Sequence, residues 1–170
     1  MRLLIASDIH GSSYWCEKLM TAFQEEKADK LLLLGDLLYH GPRNELPKGY
    51  DPKKVFEMLN AKKDVILCVR GNCDADVDQM VLEFPITQET LILELDGNLL
   101  YATHGHKENE AHPPKITGEY YLLNGHFHVT TIAQKEGFTY VNPGSISLPK
   151  DGSGHTYMVY ENGVFEVKEL

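Results

Sequence analysis

Five short apolar runs, Arg2–Ala6, Leu31–Leu34, Val65–Val69, Leu99–Ala102 and Tyr120–Leu123, each end in a polar cluster. In order, the clusters are Ser7-Asp8-Ile9-His10, Gly35-Asp36, Gly71-Asn72-Cys73-Asp74, His104-Gly105-His106 and Gly125-His126-Phe127-His128. Runs of this length and flank read as buried strands rather than helices. In α/β sheets, ligands gather just beyond the carboxyl ends of the strands, where loops converge on one crevice. The pattern therefore demands a fold that brings five strand ends together.

The intervening chain supports such a fold. Trp15, Leu19, Ala22 and Phe23 recur at helical spacing behind Ser12 or Ser13 as a cap, and Asp51-Pro52 opens a second helix through Val55, Phe56 and Leu59. The first half thus reads β-α-β-α-β. Later the pattern changes to hairpins: Leu91–Leu95 with Leu99–Ala102, Thr130–Gln134 with Phe138–Val141, and Tyr157–Tyr160 with Val164–Val167, over turns at Asp96-Gly97-Asn98, Lys135-Glu136-Gly137 and Asn162-Gly163. An α/β architecture of packed sheets with helices outside follows. With 170 residues and no repeat or linker, the chain reads as a single domain, 1–170. The irregular stretches His40–Gly49 and Lys107–Lys115 are longer than plain connectors, and the first is a candidate substrate-side loop.

The formal charge of -9 argues against long nucleic acid or an anionic membrane as a partner. Met1–Ala6 runs straight into Ser7-Asp8, without a secretory core or cleavage site, and no window approaches the roughly 18 apolar residues of a spanning helix. Cys16, Cys68 and Cys73 show no zinc-like spacing and no disulfide framework. A cytoplasmic location is expected. A homo-oligomer is compatible with the sequence.

Residues two apart on extended chain point the same way, so Asp8 with His10, and His126 with His128, each present two ligands to one cavity. Carboxylate, imidazole and amide oxygen without thiolate suit borderline cations such as manganese, iron, zinc or nickel. Taken singly, such a cluster is more often structural, because histidine also satisfies buried hydrogen bonds. Their coincidence at five strand ends points to metal. The set exceeds what one ion needs and suits two that share a carboxylate. Two divalent ions against Asp8 and Asp36 leave a charge of about +2, which favours an anionic oxyester.

In this order, Asp8-x-His10, Gly35-Asp36, Gly71-Asn72-Cys73-Asp74, His104-Gly105-His106 and Gly125-His126-x-His128 resemble the calcineurin-like metallophosphoesterase superfamily. The nearest likeness is to its small phosphodiesterases of the YfcE type, which His40-Gly41-Pro42-Arg43-Asn44 also resembles. The resemblance runs from Met1 to about Pro149 and implies a four-layer α/β/β/α sandwich of two mixed sheets flanked by helices. It further implies one ion on Asp8, His10, Asp36 and His128, and another on Asp36, Asn72, His104 and His126. Two divalent ions, manganese first among them, would share a hydroxide that attacks a small phosphodiester.

Two linked departures stand out. Many members of the family have Gly-Asn-His-Glu/Asp where this chain has Gly71-Asn72-Cys73-Asp74, and Gly-Asp-x-x-Asp where it has Gly35-Asp36-Leu37-Leu38-Tyr39. In them the histidine protonates the leaving group or binds phosphate, and the second aspartate orients it. A thiol is neutral and a weak donor at its usual pKa, so Cys73 implies weak action on monoesters.

Cys73 and His106 are the catalytic candidates, and His40, Arg43 and Asn72 the substrate-binding ones. His112 and His155 lack motifs and are expected at the surface, and Asn142-Pro143-Gly144-Ser145 reads as a turn that the resemblance places near the site. The rival readings are a phosphomonoesterase, a nuclease of the same superfamily, and a non-catalytic interaction module similar to the retromer subunit of this fold. The absence of a basic tract argues against the nuclease, and the complete ligand set against the module.

Overall fold

The computed structural model describes all 170 residues, Met1–Leu170. Strands β1 (Leu3–Ala6), β2 (Lys30–Leu33) and β3 (Ile66–Cys68) run parallel, joined through α1 (Ser13–Glu25) and α2 (Pro52–Asn60). The Ser12 hydroxyl accepts from the Trp15 N–H at 3.2 Å and starts α1, and the Asp51 carboxylate accepts from the Lys54 N–H at 3.2 Å and starts α2. Both caps are readable from sequence.

The remaining strands are β4 (Thr90–Leu95), β5 (Asn98–Thr103), β6 (Tyr120–Leu123), β7 (Thr130–Lys135), β8 (Phe138–Pro143), β9 (Thr156–Glu161) and β10 (Val164–Glu169). They complete two five-stranded mixed sheets, ordered β10-β9-β1-β2-β3 and β4-β5-β6-β8-β7. Each has three parallel strands and antiparallel pairing at its margin. The three expected hairpins are all present.

Strand alternation assigns the core. Leu4, Ala6, Leu31, Leu33, Ile66 and Cys68 face α1 and α2, where Cys16, Leu19, Phe23, Val55 and Leu59 meet them. Leu3, Ile5, Leu32 and Leu34 face the other way, against Leu100, Ala102, Leu123 and Val141 of the second sheet. Burial on both sides is why these runs are continuously apolar.

The α/β class with two mixed sheets flanked by helices is as expected, and the distribution of the helices is more specific. Both bury their apolar faces on the outer side of the first sheet. Irregular chain between β5 and β6 shields the outer side of the second: Ile116 packs on Tyr120, Leu122, Phe138 and Tyr140, and the Tyr101 hydroxyl donates to Glu108 at 2.6 Å. No helix of the chain is long and apolar enough to cross a membrane.

Candidate metal centre

The parallel strands of both sheets release their carboxyl ends at one edge, where the five clusters meet. Asp8, His10 and His128 form one group with ligand atoms within 4.8 Å of one another; Asp8, Asp36 and His104 form a second, and His10, Asp36 and Cys73 a third. One Asp36 oxygen lies 3.7 Å from His10 Nε2 and 3.4 Å from His104 Nε2. Asp8 Oδ1 lies 3.1 Å from His128 Nε2 and 3.5 Å from His10 Nε2, buried and without a hydrogen bond.

The tautomers follow from the partners. His10 Nδ1 donates to the Tyr39 carbonyl at 2.8 Å, His128 Nδ1 to the Leu148 carbonyl at 2.6 Å, and His104 Nδ1 to the Leu34 carbonyl at 2.6 Å. Carbonyls only accept, so each Nε2 is left to present its lone pair inward. His10 and His128 then aim two lone pairs at each other across 3.2 Å, and His104 aims one at the Asn72 amide oxygen at 3.0 Å. Such pairs repel unless a proton or a metal ion lies among them, and the donor set fits metal ions. Burial pushes Asp8 up, yet His10 and His128 outweigh it and hold the carboxyl well below the usual range. Burial also opposes protonation of His104, which Asp36 and Asp8 nonetheless raise to about 9. The site's negative field thus calls for positive charge, supplied by protons or by metal.

The backbone is contorted to achieve this. Asp8, His10, Asp36, His126 and His128 all hold positive φ, between 49° and 64°. That region costs about 1–2 kcal/mol per residue for side chains other than glycine. Close packing enforces it: a Cβ on Gly71 would stand 2.1 Å from an Asp36 oxygen, and one on Gly125 would stand 1.9 Å from the Ser7 hydroxyl.

Several supports lie beneath the ligands. The buried Asp74 carboxylate accepts the N–H groups of Asp36, Leu37 and Gly71 at 2.7–2.8 Å. Ser7 and the His126 N–H donate to Asp8 Oδ2 at 2.6 and 2.9 Å, and the Ser145 and Ser147 hydroxyls donate to the Asp8 carbonyl at 2.8 and 2.9 Å. Sequence reasoning assigned no role to Asp74, Ser145 or Ser147. The available signals were Asp74's place in a strand-end cluster, the turn Asn142-Pro143-Gly144-Ser145, and the alternation Ser145-x-Ser147 past a strand end.

Other predicted residues are placed less centrally. His126 is half-buried beside His104, ring centres 5.1 Å apart, and belongs to none of the three groups; burial, with His104 beside it, pushes its pKa down to about 4. His106 stacks obliquely 5.5 Å from His104, outside the main cavity, and burial lowers its pKa too. That cavity, of about 400 Å³, is walled by Arg43, Asn72, Cys73, His126, Phe127 and Lys150 among others. His40 does not line it. Its ring packs edge-on against Tyr39 and Tyr50 instead, because Gly41 turns the loop inward onto Cys73. Lys150 and Phe127 were missed: nothing local marks a lysine after β8, and Phe127 was the unassigned residue between two histidines. His112 is exposed as expected, whereas His155 lies stacked on Trp15, ring centres 3.6 Å apart.

Comparison with known proteins agrees with this architecture. Residues 1–163 match the calcineurin-like phosphoesterase superfamily domain. Phosphodiesterase YfcE of Escherichia coli strain K12 is 42% identical over 170 residues, covering all of this chain and 92% of that protein. The probable metallophosphoesterase YsnB of Bacillus subtilis strain 168 is 25% identical over 166 residues, covering 94% and 83%. The solved structure of YfcE, a phosphoesterase from E. coli, matches with a TM-score of 0.97 over 99% of this chain and 93% of that one, at 42% identity. By sequence along nearly its whole length and by fold, the chain belongs to the calcineurin-like phosphoesterase superfamily.

Proposed function

We propose that this protein is a cytoplasmic, single-domain phosphodiesterase that works with two divalent ions, manganese foremost, on a small phosphoester. The observation that carries this is the set of imidazole lone pairs and carboxylate oxygens, drawn from both sheets, that face one another at 3.0–3.7 Å. Asp8, His10, Asp36 and His128 would hold one ion, and Asp36, Asn72, His104 and His126 the other, with Asp36 common to both. Divalent ions there supply Lewis-acid charge for the phosphoryl oxygens and make water a nucleophile at neutral pH.

The chain's own residues do the rest. Arg43 and Lys150 line the cavity and belong to none of the protein's ion pairs, so both cations are free to orient a phosphate. Without bound ions, burial and then the Asp36 carboxylate push Cys73 up to about 12, and a thiol is a weak hydrogen-bond donor. It leaves the leaving group without a strong acid, and a diester with a good leaving group needs less help than a monoester.

The test is hydrolysis of aryl phosphodiesters and aryl phosphomonoesters with manganese; a strong monoester preference overturns the reading. Cys73→His should raise monoester turnover, by less than its chemistry alone would allow, because Gly41 closes over the thiol. Asp36→Ala should abolish both activities, and a wild type that hydrolyses neither ester would favour a non-catalytic module.

A further inference from the structure

Beside the metal centre runs a second groove, of about 460 Å³, whose lining includes Ala111, Phe127, Val129, Thr131 and Tyr140. Phe127 lines both spaces, so the groove adjoins the catalytic cavity across one exposed aromatic ring. That ring is 42% exposed, although its backbone is pinned between two site histidines and its N–H donates to the Gly125 carbonyl at 2.7 Å.

The two spaces differ in charge. The catalytic cavity carries the unpaired cations Arg43 and Lys150. In the groove the polar groups are already satisfied internally: Glu110 is paired with Lys135, Asn109 donates to the Gly105 carbonyl and accepts the Ala111 N–H, and the Thr131 hydroxyl donates to the Val129 carbonyl. A charged ligand would find no partner there. What remains on offer is apolar surface and the exposed ring of Phe127, with Tyr140 buried beneath.

We propose that this groove is a subsite for one ester arm of the substrate, and that the arm is uncharged and aromatic, such as an aryl or nucleoside group. The inference rests on the diesterase reading above and narrows its substrate class: an anionic phosphate in the cationic cavity, joined to a neutral aromatic group that stacks past Phe127.

The experiment is steady-state hydrolysis of bis(p-nitrophenyl) phosphate with manganese, by the wild type and by Ala111→Trp and Thr131→Trp, which fill the groove from two different segments. Inorganic phosphate, which reaches only the catalytic cavity, serves as a competitive inhibitor. The expected result is a KM raised roughly tenfold in both variants with kcat and the phosphate inhibition constant unchanged. Phe127→Leu, read alongside, should raise KM about threefold. Circular dichroism identifies any variant that does not fold, and the others then decide.

An unchanged KM in the folded variants overturns the groove and leaves the diesterase reading standing. A phosphate inhibition constant that rises in step with KM overturns it as well, because the disturbance then lies at the metal centre. So does a change of oligomeric state on sedimentation, which would make the groove a contact between copies. A wild type that binds manganese and hydrolyses no diester overturns the functional reading and this inference together.

Discussion

Positive φ angles occur in two regions of the molecule for different reasons. Among residues other than glycine, Lys27, Asp96, Asp151 and Asn162 adopt them at surface turns, whereas Asp8, His10, Asp36, His126 and His128 adopt them at the metal centre. At the hairpins the sequence chooses the conformation: Asp-Gly and Asn-Gly tolerate it locally, and a Cβ added at Gly97 meets nothing within 4 Å. At the site the residue types are those that supply candidate ligand atoms, and although Asp and His tolerate this region better than most side chains, the conformation there is not that of a hairpin turn. Tertiary packing must hold it, through approaches such as Gly71 against Asp36 and Gly125 against Ser7. The turns are relaxed, and the site is strained by design of the surrounding structure.

The comparison breaks or sharpens on four substitutions. His126→Gly should lower manganese-dependent diester hydrolysis by at least about a hundredfold. Its metal-free melting temperature should hold or rise, because glycine relieves about 1 kcal/mol of backbone strain. Calorimetry and a diester assay on the same preparation measure both, and a clear fall in the metal-free melting temperature would show that no strain is stored there.

Gly71→Ala should come next in magnitude. It cannot be seated without moving Asp36, and should cost about 3 kcal/mol with weakened manganese binding. Gly97→Ala, strained only by its own φ of 76°, should cost about 1 kcal/mol and leave binding intact. Isothermal titration with manganese separates the pair. If the two alanines behave alike, close packing at the site is not what holds it.

The smallest effect is expected at Asn162→Ala, a turn position with φ of 51°. It should lower the melting temperature by about 2–4 °C and leave turnover unchanged. A change in turnover would show that the turns and the site are coupled, against the separation drawn above.

The strands, both helix caps and all three hairpins were legible because each is governed by local rules of alternation, capping and turn chemistry. Asp8, His10, Asp36, His104 and His128 were legible because each follows an apolar run. His40, expected as a substrate contact, packs against Tyr39 and Tyr50 rather than lining the cavity, since the direction in which Gly41 turns its loop depends on Cys73, far away in sequence. Asp74 and Ser145 were named without a role and Ser147 was not named, because all three act on the backbone of other strand ends, and no local spacing records that.

By itself, the sequence determined the ligand types, their order and their attachment to strand ends, because side-chain chemistry and periodicity are properties of neighbouring residues. Only the tertiary structure decided that irregular chain shields the second sheet's outer face, that Lys150 and Phe127 enter the cavity, and that a groove with no unpaired charge opens beside it. Each of these depends on contacts between segments from different strands. Their geometry is set by how the two sheets pack, which no short stretch of sequence encodes.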